Sequence, residues 1–447
     1  MQVVVIGTGY VGLTAAACLA HLGHTVFGVD DDAQKIQALS AGRVPLYEPH
    51  LGELVQEGRG NGRLRFLSSL ADALTGAEVA LICVGTPIGA KGEADLSAVE
   101  KVARRLAEAA TGPLLVVEKS TVPAQTGQWI ARTLATTSKG AGVDLEVASN
   151  PEFQREGSAV SDFLHPDRLV FGVSSAQGEA QLRALYAPIL ERRINCPVHA
   201  QACPGAAPPV IVTDITTAEL IKHAANSFLA TKISFINLIA DLCERLGADA
   251  SAVAEGVGTD PRIGRANLQA GLGFGGSCFP KDLQAFVALA QQAGVDFNLL
   301  EEVSRINARR IDRAVEKLRQ ELWVLKDKEI ALLGLAFKPE TDDVRNAPAL
   351  ALAERLKAEG AVVRGYDPQA GPRAASATRA IAVVSDAYRV AENADALVLC
   401  TEWPDFAALD WSRIHKTMRR PLVLDGRNFI DRAKLEAFGF RVLRMGA

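Results

Sequence analysis

The chain has 447 residues, a formal charge of −4 and a charged fraction of 22%, the profile of an ordinary globular protein. That length asks for two or three domains, and the near-neutral balance gives no sign of a nucleic-acid or membrane surface. Seven cysteines, odd in number and scattered, exclude a disulfide framework, speak against a structural zinc site and favour a reducing cytoplasm, so no metal is expected. The chain starts directly in "MQVVVIG", without a basic cleavable leader, and no apolar run reaches membrane-spanning length.

The first region alternates apolar runs with helix-length segments: "QVVVIG", "HTVFGVD", "EVALICVG", "LLVVEKS", "LEVASN" and "RLVFGV". This rhythm predicts an α/β domain over residues 1–202, a parallel sheet covered on both faces. In "VVVIGTGYVG", Gly7, Gly9 and Gly12 form G-x-G-x-x-G between a strand and a helix that carries Tyr10 and Val11. Gly7 permits the tight turn, Gly9 lets backbone approach a pyrophosphate, and Gly12 allows close helix–sheet packing. The helix N-terminus then faces phosphate with unpaired N–H groups. The next strand ends in Asp30, where an acid meets ribose hydroxyls, so the pattern predicts NAD and disfavours NADP. Asp31 and Asp32 either sharpen that preference or serve as turn residues.

"CPGAAPP", residues 203–209, reads as a linker. After it, "TDITTAELIKHAANSFLATKISFINLIADLCERLG" holds helical periodicity without Gly or Pro until Gly247. That predicts a rod on the order of 50 Å, a connector or a dimer core, within a central region spanning 210–320. From 325 to 447 the alternation returns with "EIALLGLAF", "AVVRGYDP", "ALVLCTEW" and "PLVLDGRNF". Both halves share the order strand, glycine turn, helix, strand ending in Asp. The second half lacks the spaced glycines and need not take the same ligand.

"GFGGSCFPKD" places Cys278 behind a run of glycines, with Lys281 and Asp282 just after it. Cys83 and Cys400 lie in apolar strand-like runs and read as core packing. Lys222 and Asn226, spaced i, i+4, project from one face of the long helix, where they suit a developing alkoxide or simply solvent. Glu152 and Glu156 share "NPEFQRE" and read as acid/base groups or as partners of Arg155 or Arg168. Thr121 in "KSTVP" and Thr86 in "VGTP" stand at strand ends, as ligand or turn residues.

These stretches, with "VPLYEPHL", "DPRIG", "GLAFKPETDDVRNAP" and "DGRNF", resemble the UDP-glucose/GDP-mannose dehydrogenase family over nearly the whole chain. The resemblance implies two Rossmann-like doubly wound domains joined by a long central helix, a homodimer through that helix, and NAD as cofactor. It implies four-electron oxidation of a nucleotide sugar at C6, UDP-glucose first, with UDP-N-acetylhexosamine or GDP-mannose as alternatives. A bare aldehyde has no alkoxide to expel a second hydride. Thiolate addition by Cys278 creates a thiohemiacetal that can do so, leaving a thioester for water to open. By the same resemblance Lys281 or Lys222 favours the thiolate, Asp282 pairs with Lys222, and Asn226 holds the oxyanion. Glu152 and Thr121 position water in thioester hydrolysis.

The resemblance also implies that Lys35, Thr86, Thr121, Glu156, Lys281 and Arg345 join the fingerprint around the cofactor. It implies that Phe153, Arg262 (from the partner protomer), Asn267, Gly271, Gly275, Lys338 and Arg427 join Glu152, Lys222 and Asn226 around the substrate. Gln154 and Asn267 depart from the family pattern, which leaves an aliphatic and an aromatic position altered. A two-electron hydroxyacid-type dehydrogenase or an NAD-sensing protein are the rival readings, and neither needs Cys278.

Overall fold

A computed structural model describes all residues except 90–91, 139–142, 200–202 and 204. The chain forms two compact units, Met1–Ala225 with Gln284–Ala293, and Asn226–Leu283 with Gly294–Ala447. The segment expected as a separate central region is therefore shared between them.

The first unit holds β1 (Gln2–Ile6), β2 (Thr25–Val29), β3 (Leu64–Leu67), β4 (Val79–Ile82), β5 (Leu114–Glu118), β6 (Leu145–Ser149), β7 (Leu169–Gly172) and β8 (Val210–Thr213). Their order in the sheet is β3-β2-β1-β4-β5-β6-β7-β8. The first six have the doubly wound dinucleotide order, and the sheet is parallel except where β7 runs antiparallel to β6. Successive side chains of β1 serve opposite faces: Val3 and Val5 join one hydrophobic cluster, Val4 and Ile6 the other. Strands buried on both faces read as continuous apolar runs, which is why these were legible.

The two strands not expected, β3 and β8, end the sheet. β3 alternates buried and exposed residues, and β8 is mostly exposed. The stretch 203–209, expected as an interdomain linker, instead leads into β8, which pairs with β7 inside the first sheet.

The second unit holds β9 (Glu329–Leu333), β10 (Val362–Tyr366), β11 (Ala382–Val383), β12 (Ala396–Leu399), β13 (Leu422–Asp425) and β14 (Arg441–Arg444). Their order, β11-β10-β9-β12-β13-β14, is that of the first six strands, and every pair is parallel. Here Asp367, the acid after β10, accepts N–H bonds from Leu335, Ala336 and the Trp403 indole. Trp403 seals the position, so this turn offers no open ribose site.

One helix runs from Ile215 to Leu246, as the periodicity predicts. Among the described residues no helix is long and apolar enough to cross a membrane. Near the start of the long helix, Glu219 accepts N–H bonds from Gln125 and Gly127, both at 2.6 Å, capping the helix Thr126–Thr137. Burial pushes its carboxyl up to about 7, aided by the Asp214 charge and opposed by the two N–H bonds. Because the folded value lies above the unfolded one, the contribution to stability is full below the unfolded value and is lost as pH rises through about 7. The Glu219→Gln variant should therefore gain stability relative to the parent between about pH 5 and pH 8, by roughly 2–3 kcal/mol. Thermal unfolding of both proteins across that range checks it, and a difference that does not change with pH refutes the assignment.

Candidate active site

The glycine turn after β1 has two kinds of glycine. Gly7 has φ +95°, and a Cβ there would lie 2.6 Å from the Cys83 carbonyl oxygen; a Cβ on Gly12 would lie 1.8 Å from that of Gly7. Both are demanded by the protein's own packing. A Cβ on Gly9 would meet nothing within 4 Å, so open space lies over the turn where a pyrophosphate comes against the backbone. The residues present thus fit a dinucleotide.

Asp30 accepts from the Thr8 N–H at 2.8 Å and from the Lys35 ammonium at 2.9 Å. Burial raises its carboxyl, but Lys35, Asp32 N–H and Thr8 outweigh that and hold it below the usual range. Lys35 thus stands beside the acid that follows β2. Asp31 is taken by Lys101 and Arg105, and Asp32 caps the helix Ala33–Ser40, so both have structural partners. The Tyr10 hydroxyl meets the buried Glu48 carboxylate and accepts the Gly157 N–H, tying the fingerprint helix to the loop of Glu156. Val11 packs partly buried against the first core, and Glu156 is buried.

The Thr86 hydroxyl donates to the Thr121 carbonyl at 2.8 Å, joining the ends of two neighbouring strands. Directly before this turn lie Glu118 and Lys119, which the sequence reading passed over. Burial, with the Glu219 charge nearby, pushes the Glu118 carboxyl well above the carboxylate range. The buried Lys119 ammonium contacts the Asn150 side-chain oxygen at 3.1 Å, and the Tyr186 hydroxyl donates to the same atom at 2.6 Å. This network anchors the segment that carries Glu152. Its signal in sequence was polar residues at strand ends, indistinguishable there from turn residues.

Glu152 is buried, and both its oxygens are engaged. One lies 3.1 Å from the Lys222 ammonium and the other accepts the Gln154 N–H at 2.6 Å. Arg155 is instead paired with Asp162 and Arg168 lies 3.7 Å over the Phe153 ring, so neither competes for Glu152. Lys222 is buried too, its ammonium 5.3 Å from the centroid of that ring. Glu152, Phe153, Lys119 and Arg168 line a cavity of about 140 Å³. The departure at Gln154 leaves its backbone role intact, while its amide oxygen is buried with no hydrogen-bond partner among the described residues.

In the second unit Cys278 precedes the first residue of the helix Phe279–Gln292, and its carbonyl accepts the Asp282 N–H at 2.8 Å. The sulfur-bearing residue thus stands at the positive end of a helix, which favours a thiolate. By contrast, burial pushes Cys83 and Cys400 each up to about 12, as inert core thiols. Asp282, buried, accepts from Asn226 Nδ2 at 2.7 Å and from Lys281 Nζ at 2.7 Å.

The loop before Cys278 needs its glycines for contact. A Cβ on Gly271 would lie 2.6 Å from the Gly426 carbonyl oxygen, and one on Gly275 2.2 Å from that of Asn346. Arg427 pins this loop by donating to the carbonyls of Gly273, Phe337 and Cys400. Asn267, Gly275, Lys338 and Arg427 all line one cavity of about 320 Å³. Asn267 has φ +62°, a left-handed conformation that asparagine tolerates better than most residues, which accounts for its presence. Arg345 lies on Asp343, and its carbonyl holds the Gly276 N–H. Arg262 is 87% exposed on Asp260, apart from that cavity's lining.

The two glycine kinds separate fold from ligand. Gly12→Ala should lower the unfolding temperature, because the new carbon overlaps backbone. Gly9→Ala should leave it within a degree or two while weakening NAD+ binding on the order of tenfold or more. Calorimetry of both variants, with and without dinucleotide, distinguishes the roles.

The family models of the UDP-glucose/GDP-mannose dehydrogenases match the chain three times. The NAD binding domain matches residues 1–190, the central domain 216–309 and the UDP binding domain 331–432. The chain is 42% identical to the UDP-glucose 6-dehydrogenase TuaD of Bacillus subtilis (strain 168), over 98% of this chain and 92% of that one. It is also 42% identical to the UDP-glucose 6-dehydrogenase of Rhizobium meliloti (strain 1021), over 100% and 99%. The solved UDP-glucose dehydrogenase of Pyrobaculum islandicum superposes with a TM-score of 0.88 at 37% identity, covering 99% of this chain and 96% of that one. With three domain models in order and relatives matched end to end, the chain belongs to the UDP-glucose/GDP-mannose dehydrogenase family.

Proposed function

We propose that this protein oxidises the C6 alcohol of UDP-glucose to the carboxylate of UDP-glucuronate, through covalent attachment to Cys278. The observation that carries the reading is a single thiol at a helix N-terminus, behind glycines packed against backbone, in a chain whose relatives are UDP-glucose 6-dehydrogenases. NAD is the cofactor, and bound NAD+ supplies the hydride acceptor twice. One sugar and one water give one carboxylate, two NADH and three protons.

Cys278 adds its thiolate to the C6 aldehyde, forming a C–S bond and an oxyanion. Loss of hydride from that carbon leaves a thioester, and water breaks the C–S bond to release the acid and restore the sulfur. The Asn226 amide N–H holds the oxyanion, and Asp282, already hydrogen-bonded to that amide, takes and returns the protons of the alcohol and the attacking water. The Lys222–Glu152 pair supplies a fixed cation and a carboxylate to orient water, with Thr121 in support. Lys338 and Arg427 hold the nucleotide diphosphate, Asn267 and Gly275 line its cavity, and Gly271 lets the loop pack against Gly426. Gly7, Gly9 and Asp30 hold the dinucleotide, with Thr86, Glu156, Lys281 and Arg345 in support.

The long helix exposes Phe228, Phe235, Leu238, Leu242 and Leu246, one apolar stripe at helical spacing. This supports a homodimer through that helix, with Arg262 reaching the partner's substrate. Phe228→Glu with Phe235→Glu should halve the solution mass by light scattering and reduce turnover; an unchanged dimer refutes it.

The reaction itself is tested by incubating purified protein with NAD+ and UDP-glucose, UDP-N-acetylhexosamines or GDP-mannose. Two NADH per acid from UDP-glucose is expected, and one NADH per sugar overturns the thioester route. Cys278→Ser should lower net turnover by roughly 10³-fold or more while dinucleotide affinity persists. Full activity in that variant would sink the assignment. The wider panel matters because the solved UDP-D-MAnNAc dehydrogenase of Pyrococcus horikoshii also superposes, at 31% identity and a TM-score of 0.84.

A further inference from the structure

Residues 191–209 lie between the helix Ala187–Leu190 and β8. They include Cys196-Pro-Val-His199 and then Cys203. Counting the cysteines as scattered missed this paired spacing, and His165 lies too far away in sequence to complete the pattern.

In the first unit these four side chains converge. His165 Nε2 lies 3.0 Å from Cys196 Sγ and 3.6 Å from Cys203 Sγ, and His199 Nδ1 lies 3.3 Å from Cys196 Sγ. All four ligand atoms fall within 4.8 Å of one another, and the imidazole centroids are 4.9 Å apart. Zinc bonds of about 2.3 Å to sulfur and 2.0–2.1 Å to nitrogen, set tetrahedrally, make cage edges of about 3.4–3.8 Å. The observed separations bracket those edges.

We propose that His165, Cys196, His199 and Cys203 bind one zinc ion as a structural site. Two sulfurs and two imidazoles in a compact tetrahedral arrangement select Zn²⁺ over hard cations that take oxygen. Binding releases one proton from each thiol, and two thiolates then balance the two positive charges. Four protein ligands leave no position for water or substrate, so the site holds structure and does no chemistry.

Its place explains its use. His165 closes the helix Ala159–Leu164 and opens the turn His165-Pro166-Asp167-Arg168. Arg168 is the residue stacked on Phe153, beside Glu152. The facing segment is also held by Arg192, which donates to the carbonyls of Cys203 and Gly205, and by His21, whose ring contacts the Asn195 carbonyl. A metal cross-link fastens Cys196, His199 and Cys203 to the turn that supports Arg168. A metal clip of this kind closes the chain between distant residues and lowers the entropy of the unfolded state.

The test is metal content and coordination of the full chain, prepared without chelator. About one zinc per chain is expected by elemental analysis. Cobalt exchanged into the same protein should give the intense visible bands of a tetrahedral ion and a sulfur-to-metal charge-transfer band. Cys196→Ser with Cys203→Ser should remove both signals, while Cys278→Ser keeps them. Where the double variant does not fold, mercurial titration of the unmodified protein should release the zinc as two thiols react. Zinc-free protein that takes up no added Zn²⁺ or Co²⁺, a Cys196–Cys203 disulfide in its place, or bands that survive the double substitution would each overturn the proposal.

Discussion

The buried ion pair of Lys222 and Glu152 constrains everything around it in the first unit. Removing an ammonium and a carboxylate from water costs several kcal/mol per ion, and their attraction repays this only with good geometry and further hydrogen bonds. The structure supplies them: the Gln154 N–H takes the second Glu152 oxygen, and the Phe153 ring faces the lysine. The polypeptide before Glu152 is fixed in turn by Asn150, held between Lys119 and Tyr186. A charge placed this way does not have to reorganise when charge develops on a reacting group, which is the usual source of large electrostatic catalysis.

A second constraint is how closely main chain approaches main chain. Gly12, Gly271 and Gly275 each lie where a methyl group would overlap a carbonyl oxygen or its carbon. Gly9 alone, among the glycines of the fingerprint, has open space above it. Composition treats these glycines alike, yet three are demanded by packing and one faces open space. The same distinction separates the two sheets. They share one strand order, but Asp30 remains partly open beside its turn while Asp367 is closed off beneath Trp403.

Arginine behaves likewise. Arg427 donates to three backbone carbonyls and so fixes the glycine loop as well as lining its cavity, whereas Arg262 stands exposed on a neighbouring aspartate. A residue type that suits phosphate also suits carbonyl oxygens, because its planar fork of donors fits either. Only the surroundings decide which partner it meets.

The alternation of strands and helices, the dinucleotide turn, the long helix and the isolation of Cys278 are all legible in the residues themselves. Each is encoded locally: by apolar runs of strand length, glycines at fixed offsets, unbroken helical periodicity, and a thiol outside any core run. The edge strands β3 and β8 escape notice because half-exposed residues carry no continuous apolar signal. Partnerships between distant residues were decided by tertiary structure alone. Glu152 with Lys222, Asn226 with Asp282, and His165 with three residues more than 30 positions away depend on how elements pack. A side chain's chemistry is written in its type, but the distance to its partner is set by the fold.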